Sequence, residues 1–310
     1  MDDKHLTNDT ALRLPRREFL ASAAATVGLS MLPKVSSGMV NDTHAVQSKL
    51  TVQQVIDMIL KEIPGAPFKT TVDTIKAGDA GQQVNGIVTT MFATVDVVRR
   101  TAALGANFII AHEPTFYNHL DDTSWLESDP VFQFKRDLLK KNGIAVWRFH
   151  DYWHTHKPDG VLMGVIEKFG WKKYYDPGNP QMIVHPGITL GDVVSTGKKG
   201  LGIRQVRMIG DPKQICKRIA LLPGAAGGTA QIKLLQREKP DVLIVGEVHE
   251  WETAEYVRDA QAMGTPMSLI VLGHSESEEP GMEWLVPWLQ PKVGAIKVTN
   301  IPSHNPFMEA

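Results

Sequence analysis

Histidine and carboxylate recur at the ends of short apolar runs in this chain. His112 and Glu113 close the run Phe108, Ile109, Ile110, Ala111. His150 and His154 follow a run that ends at Phe149, and His274 and Glu278 follow Leu269, Ile270, Val271, Leu272 and Gly273. Imidazole nitrogen and carboxylate oxygen together suit a first-row divalent ion such as zinc, manganese, iron or nickel. The pairs His150/His154 and His274/Glu278 are each four residues apart, which puts both members on one face wherever the segment is helical. Glu247, His249 and Glu250 follow another apolar run, and a partly buried acid there would serve as a general base. Each signal also has a plainer reading: a strand-end turn at His112, an aromatic-rich loop of hydrogen-bonded histidines around His150, a surface loop at Glu250. His119, His185 and His304 show no partner pattern and read as structural.

Something must bring these ends together. Helical spacing marks 51–62, with Thr51 as N-cap, and 94–104, with Thr94 as N-cap and Gly105 just past the end. Helices are also expected over 130–141, 161–169, 229–236 and 251–263. Strands are expected over 84–91, 108–111, 144–149, 205–209, 218–222, 242–245 and 268–272. Strand and helix alternate, so the fold class is α/β with right-handed crossovers and mostly parallel sheets. In such sheets ligands bind at the carboxyl ends of the strands, where the histidines stand. The Gly- and Pro-rich stretch 176–200 reads as a linker, giving lobe one at about 46–175 and lobe two at about 201–310. The run Pro223-Gly224-Ala225-Ala226-Gly227-Gly228 lies between a strand and a helix. It lacks the Lys-Ser/Thr end of a P-loop and the spacing of a dinucleotide fingerprint, so tight packing is its expected role.

The remaining composition narrows the classes. With 310 residues, 43% hydrophobic and 22% charged, the chain is ordinary globular material. A net charge of -1 gives no electrostatic case for nucleic acid or an anionic membrane. The single cysteine, Cys216, excludes an internal disulfide and a Cys-rich zinc module. Before the globular part, Arg16-Arg17-Glu18-Phe19-Leu20 precedes an Ala-rich apolar stretch over 21–32 and a polar region over 33–45. This resembles a twin-arginine export signal, too short to span a bilayer. Residues 1–45 are therefore expected to be signal peptide and linker, with the mature protein periplasmic or secreted and free of the membrane after cleavage.

Taken together, the motifs resemble the Nif-three-like dinuclear metal centre family, some of whose members carry a GTP cyclohydrolase type two label. The resemblance covers roughly 50–307. It rests on the Gly-rich loop 223–228, the strand ending in Gly246-Glu247, the pair Gly273-His274-x-x-x-Glu278, and the strands leading into His112-Glu113-Pro114 and into His150. Two positions depart: Glu113 stands where the family has its second histidine, and His154 where it has an aspartate, so the number of each donor type is kept. Met91-Phe92-Ala93 also replaces a region where relatives often carry an aspartate. The resemblance implies two α/β lobes with the metals in the cleft between them, and a toroidal homohexamer. It implies His112, Glu113, His154, His274 and Glu278 as ligands of one or two divalent ions. His150 is expected as an extra ligand or a catalytic group beside them, and Glu247 or Glu250 as proton-transfer groups. The expected function is an exported metal-dependent hydrolase of an unidentified small molecule, with metal-activated water as nucleophile; the alternative is a non-enzymatic metal-binding or scaffold protein with a saturated site. An exported protein has little access to GTP, which weakens the cyclohydrolase label here.

Overall fold

The computed structural model describes residues 50–307; the twin-arginine segment lies outside them. Thr51 forms a capping box with Gln54 and starts α1 (Val52–Leu60), whose Val52, Val55, Ile56 and Ile59 are buried. A short strand, β1 (Ile75–Ala77), precedes β2 (Ile87–Thr90). Thr94 caps α2 (Val95–Ala103), and Gly105, with φ +68°, turns the chain into β3 (Phe108–Ala111). Asp129 caps α3 (Pro130–Lys141), which leads through Asn142 and Gly143 to β4 (Ala145–Arg148). Two further helices follow, α4 (Asp151–Thr155) and α5 (Gly160–Lys168).

The stretch expected as a linker instead holds β5 (Met182–Thr189) and α6 (Leu190–Leu201). Its Pro186 and Gly187 fall where the β5 register shifts, between Val184 and Ile188. An edge strand with a bulge tolerates both residue types, so breakers that read as a linker sit inside a strand. Next come β6 (Arg207–Ile209), β7 (Ile215–Leu222), α7 (Gly228–Glu238) and β8 (Val242–Val245). A π-helical turn over Glu250–Ala254 runs into α8 (Glu255–Ala262), followed by β9 (Ser268–Val271), α9 (His274–Leu289) and β10 (Val298–Asn300).

These strands make two five-stranded sheets, ordered β1-β4-β3-β2-β10 and β5-β7-β8-β9-β6. Within the first, β4, β3, β2 and β10 run parallel and only β1 is antiparallel. Within the second, β7, β8 and β9 run parallel between antiparallel edges β5 and β6. Every residue of β2, β3, β4, β8 and β9 is buried, as parallel strands covered on both faces require. The first sheet is completed from the far end of the sequence, because β10 pairs with β2; the two sheets therefore do not divide at one point in the chain. No helix among the described residues is long and apolar enough to cross a membrane.

Helix α9 ties the sheets together. It leaves β9 of the second sheet, yet its Met282, Leu285 and Leu289 lie in the core against β2, β3 and β4, and the Met282 carbonyl accepts a bond from Thr89 Oγ1 at 2.8 Å. Helix α5 crosses α9 with backbones nearly in contact: a Cβ on Gly281 would stand 2.5 Å from Val161 Cα, and one on Gly164 would stand 2.4 Å from the Pro280 carbonyl. Leu162, Val165 and Ile166 of α5 meanwhile pack with Ile219, Ile244 and Ile270 of the second sheet. Side chains at the start of α9 are thereby held against the strand ends of the first sheet.

Candidate metal centre

Strands β3 and β4 pair in register, Ala111 opposite Arg148, so the chain leaves the sheet at one level through His112-Glu113 and Phe149-His150. His112 is fully buried, and its Nδ1 lies 3.1 Å from the Phe149 carbonyl. Arg148, also fully buried, donates from Nη2 to Glu113 Oε2 at 3.1 Å and from Nε to the His112 carbonyl. Helix α4 is capped from a distance. The Asp73 carboxylate accepts from the backbone N–H groups of His150 (2.8 Å), Asp151 (3.1 Å) and Tyr152 (2.8 Å), which would otherwise be unpaired at the helix start. Asp151 in turn holds His150 Nδ1 at 2.9 Å, and Asp159, which also caps α5 through Leu162, holds His154 Nδ1 at 3.1 Å.

From the other sheet, His274 opens α9 directly after Gly273, and Glu247 holds its Nδ1 at 3.1 Å. Glu278 is one turn further on and buried. The Gly-rich loop packs on it: a Cβ on Gly224, whose φ is +74°, would lie 2.0 Å from Glu278 Oε1, and Gly224 N–H donates to Ser277 Oγ. The loop thus does the close packing expected of it.

All four imidazoles consequently have Nδ1 engaged from outside the cluster, by a carbonyl or a carboxylate, and Nε2 facing inward. Outer partners of this kind fix ring orientation and raise the basicity of the free nitrogen. Inside, His112 Nε2 lies 3.4 Å from Glu278 Oε2 and His154 Nε2 3.8 Å from Glu278 Oε1. His150 Nε2 is 3.6 Å from Glu113 Oε1, while His274 Nε2 is 3.4 Å from Glu113 Oε1 and 3.0 Å from Glu278 Oε2. Donor atoms of His112, His150 and His154 lie within 4.8 Å of one another, as do those of His112, Glu113 and Glu278. His112 Nε2 is buried with no hydrogen-bond partner. Its neighbour at 3.4 Å is the Glu278 carboxylate, and a divalent ion bound to this cluster would engage both.

The charges of the cluster are coupled. Burial alone would raise the Glu278 carboxyl, but His112 and His274 overcome it and hold it well below the usual range; Glu113 is lowered against burial in the same way, first by His274. Burial pushes His274 down, yet its bonds to Glu113 and Glu278 carry it up to about 10. His154 is likewise carried against burial to about 9, first by Asp159. His150 goes the other way, to about 4, through burial and the neighbouring His112 and His154. In the absence of an ion, protons on His154 and His274 therefore balance the two carboxylates. Ligation exchanges such protons for metal charge.

Residues 51–306 match the model of the family described as Duf34/NIF3 (NGG1p interacting factor 3). The chain belongs to this family. A Clostridium perfringens protein named GTP cyclohydrolase 1 type 2 homolog is 24% identical over 234 residues, covering 72% of this chain and 85% of its own. Among solved structures, Staphylococcus aureus protein SA1388 superposes with a TM-score of 0.67 at 20% identity, over 84% of this chain and 99% of its own. The Bacillus cereus protein related to NIF3 does so with 0.68 at 16% identity, over 85% and 100%. The mixed α/β architecture with two five-stranded sheets is thus the NIF3 fold.

In this NIF3 chain the structure gathers all six residues His112, Glu113, His150, His154, His274 and Glu278. It separates Glu247 from Glu250. Glu247 touches His274 and lines a pocket of about 460 Å³, together with Phe92, Arg207, Gly246 and Glu276. Glu250, expected as a possible proton-transfer group, is 77% exposed and paired with Arg207 at 3.0 Å. It sits in a solvated ion pair because the π-helical turn carries it away from the strand end. Asp73, Asp159 and Arg148 went unread in the sequence, where Asp151 stood out only as the acid beside His150. Asp159 alone had a local signal, as an acid before Gly160 and an apolar helical run; Asp73 acts across 77 positions or more and has none.

Proposed function

We propose that this protein is an exported metal-dependent hydrolase acting on a small molecule in the pocket beside His274. One observation carries the reading: four imidazoles, each fixed through Nδ1, turn Nε2 toward two buried carboxylates at the edge of an open pocket. His112, Glu113, His150, His154, His274 and Glu278 would hold the metal, with His150 among the donors because its Nε2 faces Glu113 and its donor atom lies with those of His112 and His154. The ion would supply Lewis-acid activation of water and of a carbonyl or phosphoryl oxygen. The chain does the rest. Arg148 holds Glu113 by its outer oxygen, Gly224 leaves room for Glu278, and Glu247, half-exposed on the pocket wall, orients His274 and is placed to accept a proton at its free oxygen. The curated relatives' name includes GTP in the substrate panel, although export would keep the protein from that nucleotide.

A screen of the metal-stripped protein against ester, amide, phosphoester and GTP substrates, with zinc, manganese, iron or nickel restored, tests this. Metal-dependent turnover that Glu278→Gln abolishes is expected. Metal binding with no turnover on any class would favour the scaffold alternative. Export through the twin-arginine route is read from Arg16 and Arg17, and Arg16→Lys with Arg17→Lys should stop it. A homohexameric assembly, proposed from the family resemblance, is measured by native mass.

A further inference from the structure

Beside the cluster, the 460 Å³ pocket has a second pole that no metal donor occupies. Edge strand β6 pairs with β9 so that Arg207 lies opposite Val271. Past Val271 the chain stays extended, with Leu272 and Gly273 donating to the Val245 and Gly246 carbonyls, and it reaches His274 three residues on. At the rise of an extended strand that is about 10 Å. Arg207 and His274 therefore stand toward two ends of one pocket, a small molecule's length apart. The wall between them is largely apolar, with Phe92, Val248, Leu272 and Phe307.

Among the described residues lining this pocket, Arg207 is the only lysine or arginine. The acids on the wall are each engaged by a neighbour inside it: Glu247 holds His274 Nδ1 at 3.1 Å, and Glu276 accepts from Asn305. The partner of Arg207 differs in kind. Glu250 reaches it at 3.0 Å from the π-helical turn, outside the lining residues, and both side chains are largely exposed. A solvated pair of this kind contributes little, so an anion entering the pocket displaces Glu250 at small cost.

We infer that Arg207 determines specificity, and that the substrate is a small molecule with a short apolar body and a carboxylate at the end remote from the reacting group. A guanidinium fork matches a carboxylate through two parallel N–H···O bonds. Glu247 and Glu276 on the wall oppose a second negative charge beside it, which disfavours a phosphate tail. This assignment rests on the hydrolase reading for what holds the reacting end at His274, so binding and turnover are measured separately.

Metal-loaded full-length protein is titrated calorimetrically with three hydroxamates whose common head anchors at a metal and whose tails differ. Glutaric monohydroxamate ends in a carboxylate, pentanohydroxamate in a methyl group, and a phosphonate-tailed analogue of the same length in a double negative charge. The carboxylate tail should bind about tenfold tighter than the methyl tail, and the phosphonate should gain less. Arg207→Met should erase the carboxylate's advantage while leaving the affinity for pentanohydroxamate unchanged. Glu250→Gln, by freeing Arg207, should tighten the carboxylate tail by about threefold. Both residues are exposed, so neither change threatens the fold. Equal affinities in the wild type, a carboxylate preference that survives Arg207→Met, or an equal or larger Arg207-dependent gain for the phosphonate would overturn the inference while leaving a metal-dependent hydrolase intact. Failure of every hydroxamate to bind would also overturn it. The expected selectivity without turnover of any substrate class would instead overturn the hydrolase reading and leave a metal centre that holds a carboxylate ligand.

Discussion

At the scale of single residues, the cluster depends on a buried cation that is no candidate ligand. Arg148 is fully buried, donates to Glu113, and stands between the site and Asp121. Removing it would leave Glu113 facing Glu278 without its nearest fixed positive charge. Breaking one partner of a buried ion pair typically costs about 3–5 kcal/mol. Arg148→Met should therefore destabilise the metal-free protein by that order in urea denaturation, and Arg148→Met with Glu113→Gln should recover a substantial part. Strict additivity of the two changes would show that the pair is not coupled. A second buried cation has a pH signature. Lys135 donates to the Thr115 carbonyl at 2.6 Å, and burial lowers its ammonium from 10.5 to about 8. Between those values the unfolded chain holds a proton that the folded chain has released, so stability rises with pH there. Relative to Lys135→Met, the wild type should carry a deficit of about 3 kcal/mol below pH 8 that fades toward pH 10.5. A pH-independent difference between the two proteins, measured at pH 7 and 10, would contradict this.

At the scale of elements, much was legible, and what was not has particular causes. Residues 108–111, 130–141 and 242–245 form the strand and helix their patterns imply, because buried parallel strands and capped amphipathic helices carry strong local signals. The strands β1 and β10 have three residues each, with no apolar run to mark them. Helix α9 contains Pro280 and Pro287, so its sequence reads as broken, and only the turn holding His274 and Glu278 was recognisable. The histidines and carboxylates that converge were visible as strand ends, whereas Asp73 and Arg148 hold them through contacts no spacing rule describes. The α5–α9 crossing was equally hidden, since it lies in two glycines rather than in an apolar stripe. Gly281→Ala tests that crossing. Its Cβ would meet the Val161 backbone, and overpacking of this kind costs about 1–3 kcal/mol. The urea midpoint should fall accordingly, and an unchanged midpoint would mean that the helices separate freely.

At the scale of the whole molecule, the donors define how the metal should act on stability. His112, Glu113, His150 and His154 come from the end of the first sheet, while His274 and Glu278 come from a helix that begins at the second. An ion shared across them would bind only the folded arrangement, since unfolding scatters ligands from position 112 to position 278. Its free energy of binding is then added to global stability, about 2.7 kcal/mol for free metal at a hundred times its dissociation constant. Zinc added to the metal-stripped protein should raise a single thermal transition, by more as the free concentration rises, and a chelator should return it to the starting midpoint. The same titration on Glu278→Gln, which weakens a buried carboxylate facing His112, His154 and His274, should give a smaller rise at every concentration. If zinc raised the variant and the wild type equally, the ion would be stabilising the protein somewhere other than this cluster. If it produced two transitions instead of one, the sheets would unfold separately, and the packing of α9 between them would not join them into one cooperative unit.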